Sequence, residues 1–234
     1  VLYLYGNYAG DVMNFKIAAQ LAAAEGIKVE TVLIWDDVAS AQPSTKEDRR
    51  GIAGLIPIVK IAGAAADKAK DLDELVSLVT SARDNTRSVG VALSPGSIPA
   101  TGKPTFELDD DSIGIGMGIH GEQGVGIEKM MPADDLAEKL LNLILADDLI
   151  LESGDDVLVL INSLGSTTMM ECLIVLKKVK ALLVDKGIKI YDVMLGPLVT
   201  CQEMAGLSIS LTKVDDTLKP LWDAPCSSLG YTKL

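Results

Sequence analysis

One histidine occurs in the 234-residue chain, His120, and glycines crowd around it: Gly114, Gly116, Gly118, Gly121 and Gly124. Imidazole is the side chain best suited to act as a nucleophile or proton carrier near neutral pH. Its neutral form adds to a ketone or aldehyde carbon to give a hemiaminal. The flanking glycines remove the bulk that would keep a small ligand from the ring. From Ser112 to Ile119 glycine alternates with isoleucine or methionine, which predicts a strand ending at His120 with one bare face. The same residues also fit a histidine buried in a core or lying in a turn. Glu122 either orients the ring or is a solvated turn acid.

A second chemical candidate is Asp11, in the run Gly6-Asn7-Tyr8-Ala9-Gly10-Asp11. At or beside a helix N-terminus its carboxylate can cap backbone N–H groups. It can equally accept a hydrogen bond from a substrate hydroxyl. The run has neither the GxGxxG spacing nor the lysine of a phosphate-binding loop, so it supports no nucleotide site. A third candidate is Asn162 to Thr168, where Ser166 or Thr167 caps the next helix or helps hold an anion at its N-terminus. Lys213 to Pro225 reads as a strand, a short helix and a tail anchored by Trp222.

These residues need elements to place them. Val1–Tyr5 predicts a strand, and Val12, Phe15, Ala19, Ala22 and Ala23 recur at helical spacing up to a stop at Gly26. Val29–Trp35 predicts a second strand, parallel to the first in a right-handed βαβ unit. Ligands of such sheets bind beyond the carboxyl ends of the strands, which puts Gly6 to Asp11 at a candidate site. Asp36 to Arg50 reads as an exposed polar loop. Helices follow from Gly51 to about Lys70, with Pro57 in the first turn, and after a cap at Asp71. After a boundary near Asn85 to Ser88, strands are predicted at Val89–Leu93, Phe106–Leu108, Val157–Ile161, Ile188–Leu195 and Leu207–Val214. Helices are predicted at Ala133–Ala146 and Met169–Lys186. The pattern is α/β: two α/β domains, 1–86 and 87–234, with mixed or parallel sheets flanked by helices, the second carrying the histidine loop.

Hydrophobic residues make up 48% of the chain and aromatics 4%, so an aliphatic core is expected. The formal charge of −12 argues against a nucleic-acid surface. Cys172, Cys201 and Cys226 lack metal-binding spacing and are expected to be reduced thiols of a cytoplasmic protein. With a single histidine, no metal site is expected. No apolar run reaches the ~18 residues of a membrane span, and no signal peptide is evident. The chain opens directly in a strand without methionine, which suggests that residues precede Val1.

Several stretches, in order along the chain, resemble the substrate-binding K subunit of dihydroxyacetone kinases. They are Gly6 to Phe15, Asp36 to Ala39, Arg49 to Gly54, Ile98 to Pro104, Gly116 to Glu122 and Leu221 to Pro225. The resemblance implies that His120 binds the carbonyl carbon of dihydroxyacetone as a covalent hemiaminal and that Asp11 hydrogen-bonds a substrate hydroxyl. It implies a homodimer that holds no cofactor itself. The phosphoryl group would come from a magnesium nucleotide (ADP/ATP) on a separate L subunit, recharged in many bacteria by a phosphotransferase-system protein. The family's Gly-Gly-Gly-Ser-Gly-His-Glu-Pro loop, whose histidine is the proposed general base, has no counterpart here and is expected upstream of Val1. Gly6 stands where many relatives have lysine, which leaves room for a different short ketose. The alternative reading is a non-catalytic paralogue that senses dihydroxyacetone and acts as a transcriptional co-activator.

Overall fold

The computed structural model describes residues 1–118, 122 and 124–234. Its first strand, β1 (Leu2–Gly6), leads into helix α1 (Ala9–Ala24) and then β2 (Glu30–Ile34). β1 and β2 pair in parallel, from Leu2 opposite Glu30 to Gly6 opposite Ile34, which is the predicted βαβ unit. α1 rests on this ribbon through Phe15, whose ring stacks on Tyr5 at 4.3 Å and meets Tyr3 edge-on at 5.3 Å. Helices α2 (Leu55–Ala66) and α3 (Leu72–Asp84) follow; the Asp71 side chain accepts the Glu74 N–H and so starts α3 as predicted.

The remainder of the chain builds a six-stranded sheet. Its strands are β3 (Thr86–Ser94), β4 (Ser112–Ile115), β5 (Gly126–Lys129), β6 (Asp156–Ser163), β7 (Lys189–Gly196) and β8 (Ala205–Val214). The order across the sheet is β5-β4-β3-β8-β6-β7, with β6 and β7 parallel and the other neighbours antiparallel. α4 (Ala133–Leu145) precedes β6 and α5 (Met169–Asp185) connects β6 to β7. A short helix α6 (Lys219–Asp223) and a small hairpin, β9 (Cys226–Ser227) with β10 (Thr232–Lys233), end the described chain.

Strand alternation divides the sheet's side chains between two cores. Val157, Val159 and Ile161 of β6, with Val89, Val91, Ile209 and Leu211, pack under Leu140, Leu141 and Ile144 of α4 and Val175, Val179 and Leu183 of α5. Leu158 and Leu160 point the other way, into a core with Val32 and Ile34 of β2, Ile58 and Ile61 of α2, Val79 of α3 and Trp222 of α6. α2 and α3 thus form a layer between the small parallel sheet and the large mixed one.

Phe106–Leu108 forms no strand; the segment from Pro95 to Asp110 carries only an isolated bridge between Ser97 and Pro104. The predicted glycine-rich strand stops at Ile115, because Gly116 turns out of the sheet with a left-handed φ of 68°. No helix among the described residues is long and apolar enough to cross a membrane.

Candidate functional site

The segment joining β2 to α2 is the element that composition misread. Its middle, Gln42 to Thr45, is exposed, but Asp36 and Asp37 are 0% and 1% exposed and Arg49 is 0% exposed. The chain leaving β2 bonds to β3 at once: the Ser88 N–H donates to the Asp36 carbonyl at 2.7 Å and the Val38 N–H to the Ser88 carbonyl at 2.9 Å. Asp36 turns its carboxylate back, accepting the Ile52 and Gly54 N–H groups at 2.9 Å each. Burial raises its pKa, against the hydrogen bonds from Ser88 and from these amides. Arg49 forms a two-pronged pair with Asp147 at 2.9 and 2.6 Å, just beyond α4, where Arg87 and Lys46 add contacts to Asp147 and Asp148. Trp35 lies beneath this cluster, 4.9 Å from the Arg87 guanidinium. A loop that looks merely polar in sequence is therefore fastened to both halves of the fold.

Its last arginine reaches the glycine segment. Arg50 Nε donates to Asp37 Oδ2 at 3.0 Å, and Arg50 Nη2 lies 2.8 Å from the same oxygen. Nη2 also donates to the Gly116 carbonyl at 2.9 Å. The Gly118 N–H donates to the Glu122 carbonyl at 2.9 Å, so the two residues that bracket positions 119–121 are joined. A β-carbon on Gly118 would overlap a Glu122 carboxylate oxygen and lie 2.6 Å from Arg50 Nη1. Glu122 is partly buried, with its carboxylate beside the Gly118 Cα. His120 itself lies outside the described residues.

Tyr8 closes the group from the β1–α1 turn. Burial pushes its hydroxyl pKa up; the charges of Glu122, Asp37 and Asp36 act in the same direction and Arg50 opposes them. The turn is held in place by Asn7, whose amide donates to the Glu47 and Arg49 carbonyls at 2.8 Å each. Asp11 follows on the first turn of α1 and is exposed. Tyr8 occupies the cap position and makes no side-chain cap, so Asp11 does not serve as the helix cap. Its charge adds to burial in raising the pKa of Tyr5.

The structure therefore gathers Tyr8, Asp36, Asp37, Arg50, Gly116, Gly118 and Glu122, with Asp11 one helical turn beyond. Tyr8, Asp37 and Arg50 were not singled out in sequence; a signal was present only in their lying within stretches that resemble the family. The Asn162–Thr168 segment serves the fold. Thr168, not Ser166 or Thr167, starts α5 with a capping box to Glu171, while the Thr167 hydroxyl accepts the Gly206 N–H at 2.8 Å. No cluster of three or more metal-ligating side chains occurs among the described residues.

A parallel βαβ ribbon layered on a mixed sheet, with a glycine frame between β4 and β5 braced from the β2–α2 loop, defines the chain as an α/β protein with a polar site on its sheet. It matches the Dak1 domain over residues 1–230 and belongs to that family. It is 44% identical over 227 residues to the dihydroxyacetone-binding subunit DhaK of the PTS-dependent dihydroxyacetone kinase 2 of Listeria innocua, covering 97% of this chain and 68% of that one. It is 37% identical over 236 residues to the L-erythrulose 1-kinase of Mycolicibacterium smegmatis, covering 100% of this chain and 41% of that one. The solved dihydroxyacetone kinase operon co-activator Dha-DhaQ superposes with a TM-score of 0.87 at 31% identity, over 96% of this chain and 70% of that one. The chain spans about two thirds of the length of DhaK subunits such as the Listeria protein.

Proposed function

We propose that the chain is the substrate-binding part of a short-ketose kinase and that it acts on dihydroxyacetone or a close relative. The observation that carries this reading is the 44% identity, over 97% of the chain, to a dihydroxyacetone-binding subunit. The flanking frame is compatible with it: Gly116, Gly118 and Glu122, on either side of positions 119–121 in sequence, are held by Arg50 and by the Gly118–Glu122 hydrogen bond. In this reading an imidazole nitrogen of His120 adds to the ketose carbonyl carbon. The carbonyl π pair moves to oxygen, which takes up the proton released by the ring, and a neutral hemiaminal results with no leaving group. A ketose exposes such a carbonyl; glycerol has none. Asp11 accepts the hydrogen bond of the substrate hydroxyl that is to be phosphorylated. A partner L subunit with its magnesium nucleotide supplies the phosphoryl group, recharged by a phosphotransferase-system donor, and the K subunit works as a homodimer in the cytoplasm. The four-carbon substrate of the erythrulose kinase relative, together with Gly6, keeps ketoses longer than dihydroxyacetone within this reading.

The test is direct. Dihydroxyacetone labelled with carbon-13 at the carbonyl is mixed with the protein. Its signal is expected to move from the ketone to the tetrahedral region of the spectrum, and this change is expected to vanish in His120→Ala. An unchanged ketone signal with the parent chain rejects the hemiaminal. Phosphorylation with L subunit and donor then separates kinase from sensor. The sensor reading draws on the 31% identity to the solved co-activator; it requires the tetrahedral signal without turnover.

A further inference from the structure

The guanidinium of Arg50 joins three backbone segments that are remote in sequence. Its own loop holds it at both ends: the Asp37 N–H donates to the Arg50 carbonyl at 3.1 Å and the Arg50 N–H to the Ser40 hydroxyl at 3.0 Å. Asp37 is fixed as well, its Oδ1 accepting the Ala39 N–H at 3.1 Å while Oδ2 meets Arg50. From this platform the planar fork reaches the Gly116 carbonyl on one side and the Gly118–Glu122 closure on the other. An ammonium, a single point of charge, cannot span these positions as a guanidinium does.

We propose that Arg50 is a positioning residue: braced by Asp37, its guanidinium sets the Gly116–Gly118 and Glu122 frame that brackets His120 in sequence. The proposal rests on the reading of His120 as the ketose-binding nucleophile. Gly116 makes the frame specific. Its left-handed backbone aims the carbonyl at Arg50, and a β-carbon there would overlap the Ala39 methyl.

The experiment uses the lone histidine as its own probe. Ring-labelled histidine gives one imidazole signal from this chain, because the sequence contains one histidine. In Arg50→Lys and Arg50→Gln that signal is expected to move and its titration midpoint to change, while the Trp222 indole signal stays in place. Ketose affinity is expected to fall by about tenfold to a hundredfold, the range for losing a charge-assisted hydrogen bond. Methylguanidinium added to Arg50→Ala is expected to restore part of both, which a purely structural role would not allow. An unmoved imidazole signal together with unchanged ketose affinity in both Arg50 variants overturns the proposal. Should the Trp222 signal also move, Asp37→Asn carries the test: it keeps the guanidinium and removes its brace, and an unchanged imidazole signal there equally overturns the proposal. If the parent chain gives no tetrahedral carbon, the hemiaminal reading fails, but the imidazole signal still decides the role of Arg50.

Discussion

Asp37 and Arg50 are joined twice, once through their side chains at 2.8 Å and once through the backbone, where the Asp37 N–H donates to the Arg50 carbonyl at 3.1 Å. The double link closes the β2–α2 loop on itself beside the glycine frame. It also leaves a carboxylate almost out of water. Burial outweighs the attraction of Arg50, and with the neighbouring charge of Asp36 it pushes the Asp37 carboxyl up to about 6.

A pH dependence follows, and its sign differs between site and fold. The groups facing Asp37 are Arg50, Asp36, Tyr8 and the Ala39 N–H. Acidification through pH 6 protonates Asp37 and takes the counter-charge from Arg50. Ketose binding is expected to weaken between pH 7 and 5, by about tenfold if roughly 1.4 kcal/mol of positioning is lost. The folded pKa lies above the unfolded one, so the stability contributed by this group is full below about 4 and is lost as pH rises through about 6. Asp37 therefore does not lower the melting temperature on acidification. Calorimetric titrations of parent and Asp37→Asn check this: the variant is expected to lose the Asp37 part of the profile. A parent profile identical to the variant's would refute it.

Gly118→Ala and Gly124→Ala are expected to differ in kind. The added β-carbon at 118 meets the far ends of Glu122 and Arg50, which can swing aside. The expected result is a folded protein whose ketose affinity is reduced about as much as in the Arg50 variants. At 124 it meets backbone, 2.5 Å from the Gly116 carbonyl carbon and 2.6 Å from the Met117 nitrogen. That frame cannot yield locally, and a loss of about 1–3 kcal/mol in stability is expected. Thermal melts beside binding isotherms separate the two; equal melting losses would contradict the distinction.

The buried ion cluster should be asymmetric. Removing Asp147 strands the guanidinium of Arg49, whose side chain is 0% exposed, while Arg87 keeps Asp148 at 2.8 Å. Asp147→Ala is expected to cost about 3–5 kcal/mol in urea unfolding. Arg49→Met leaves Asp147 paired with Arg87 at 2.9 Å and should cost clearly less. Equal losses would show that the cluster does not act through unpaired charge.

Thr168→Ala removes the α5 cap but touches nothing near the glycine frame. A loss of about 1 kcal/mol is expected, with ketose binding unaltered. A change in binding would mean that α5 couples to the site.

Much of the fold was legible because the chain obeys local rules. The βαβ unit, the Asp71 cap and the buried apolar strand β6 behind its Ser153-Gly154-Asp155 turn each announced themselves by period or punctuation. The site was legible only in part. Glycine spacing pointed to the His120 segment, and its family resemblance supplied the chemistry. Asp36 to Arg50 was misjudged because charged residues in a loop read as solvated. Their burial depends on partners far away in sequence, Ser88, Gly116 and Asp147, which no local pattern reveals. The Phe106 segment failed for the opposite reason: Phe106 packs beside Leu164 and Met204 without its segment pairing into the sheet.

Val32, Ile34, Ile58 and Ile61 share one apolar mass with Leu158, Leu160, Leu221 and Trp222 of the later chain. Swinging the small ribbon away from the large sheet would flood that mass with water, at ~25 cal/mol for every Å² of apolar surface laid bare. That shared mass ties the ribbon to the sheet. On the proposed reading, a ketose at the glycine frame would meet a floor tied to this shared core.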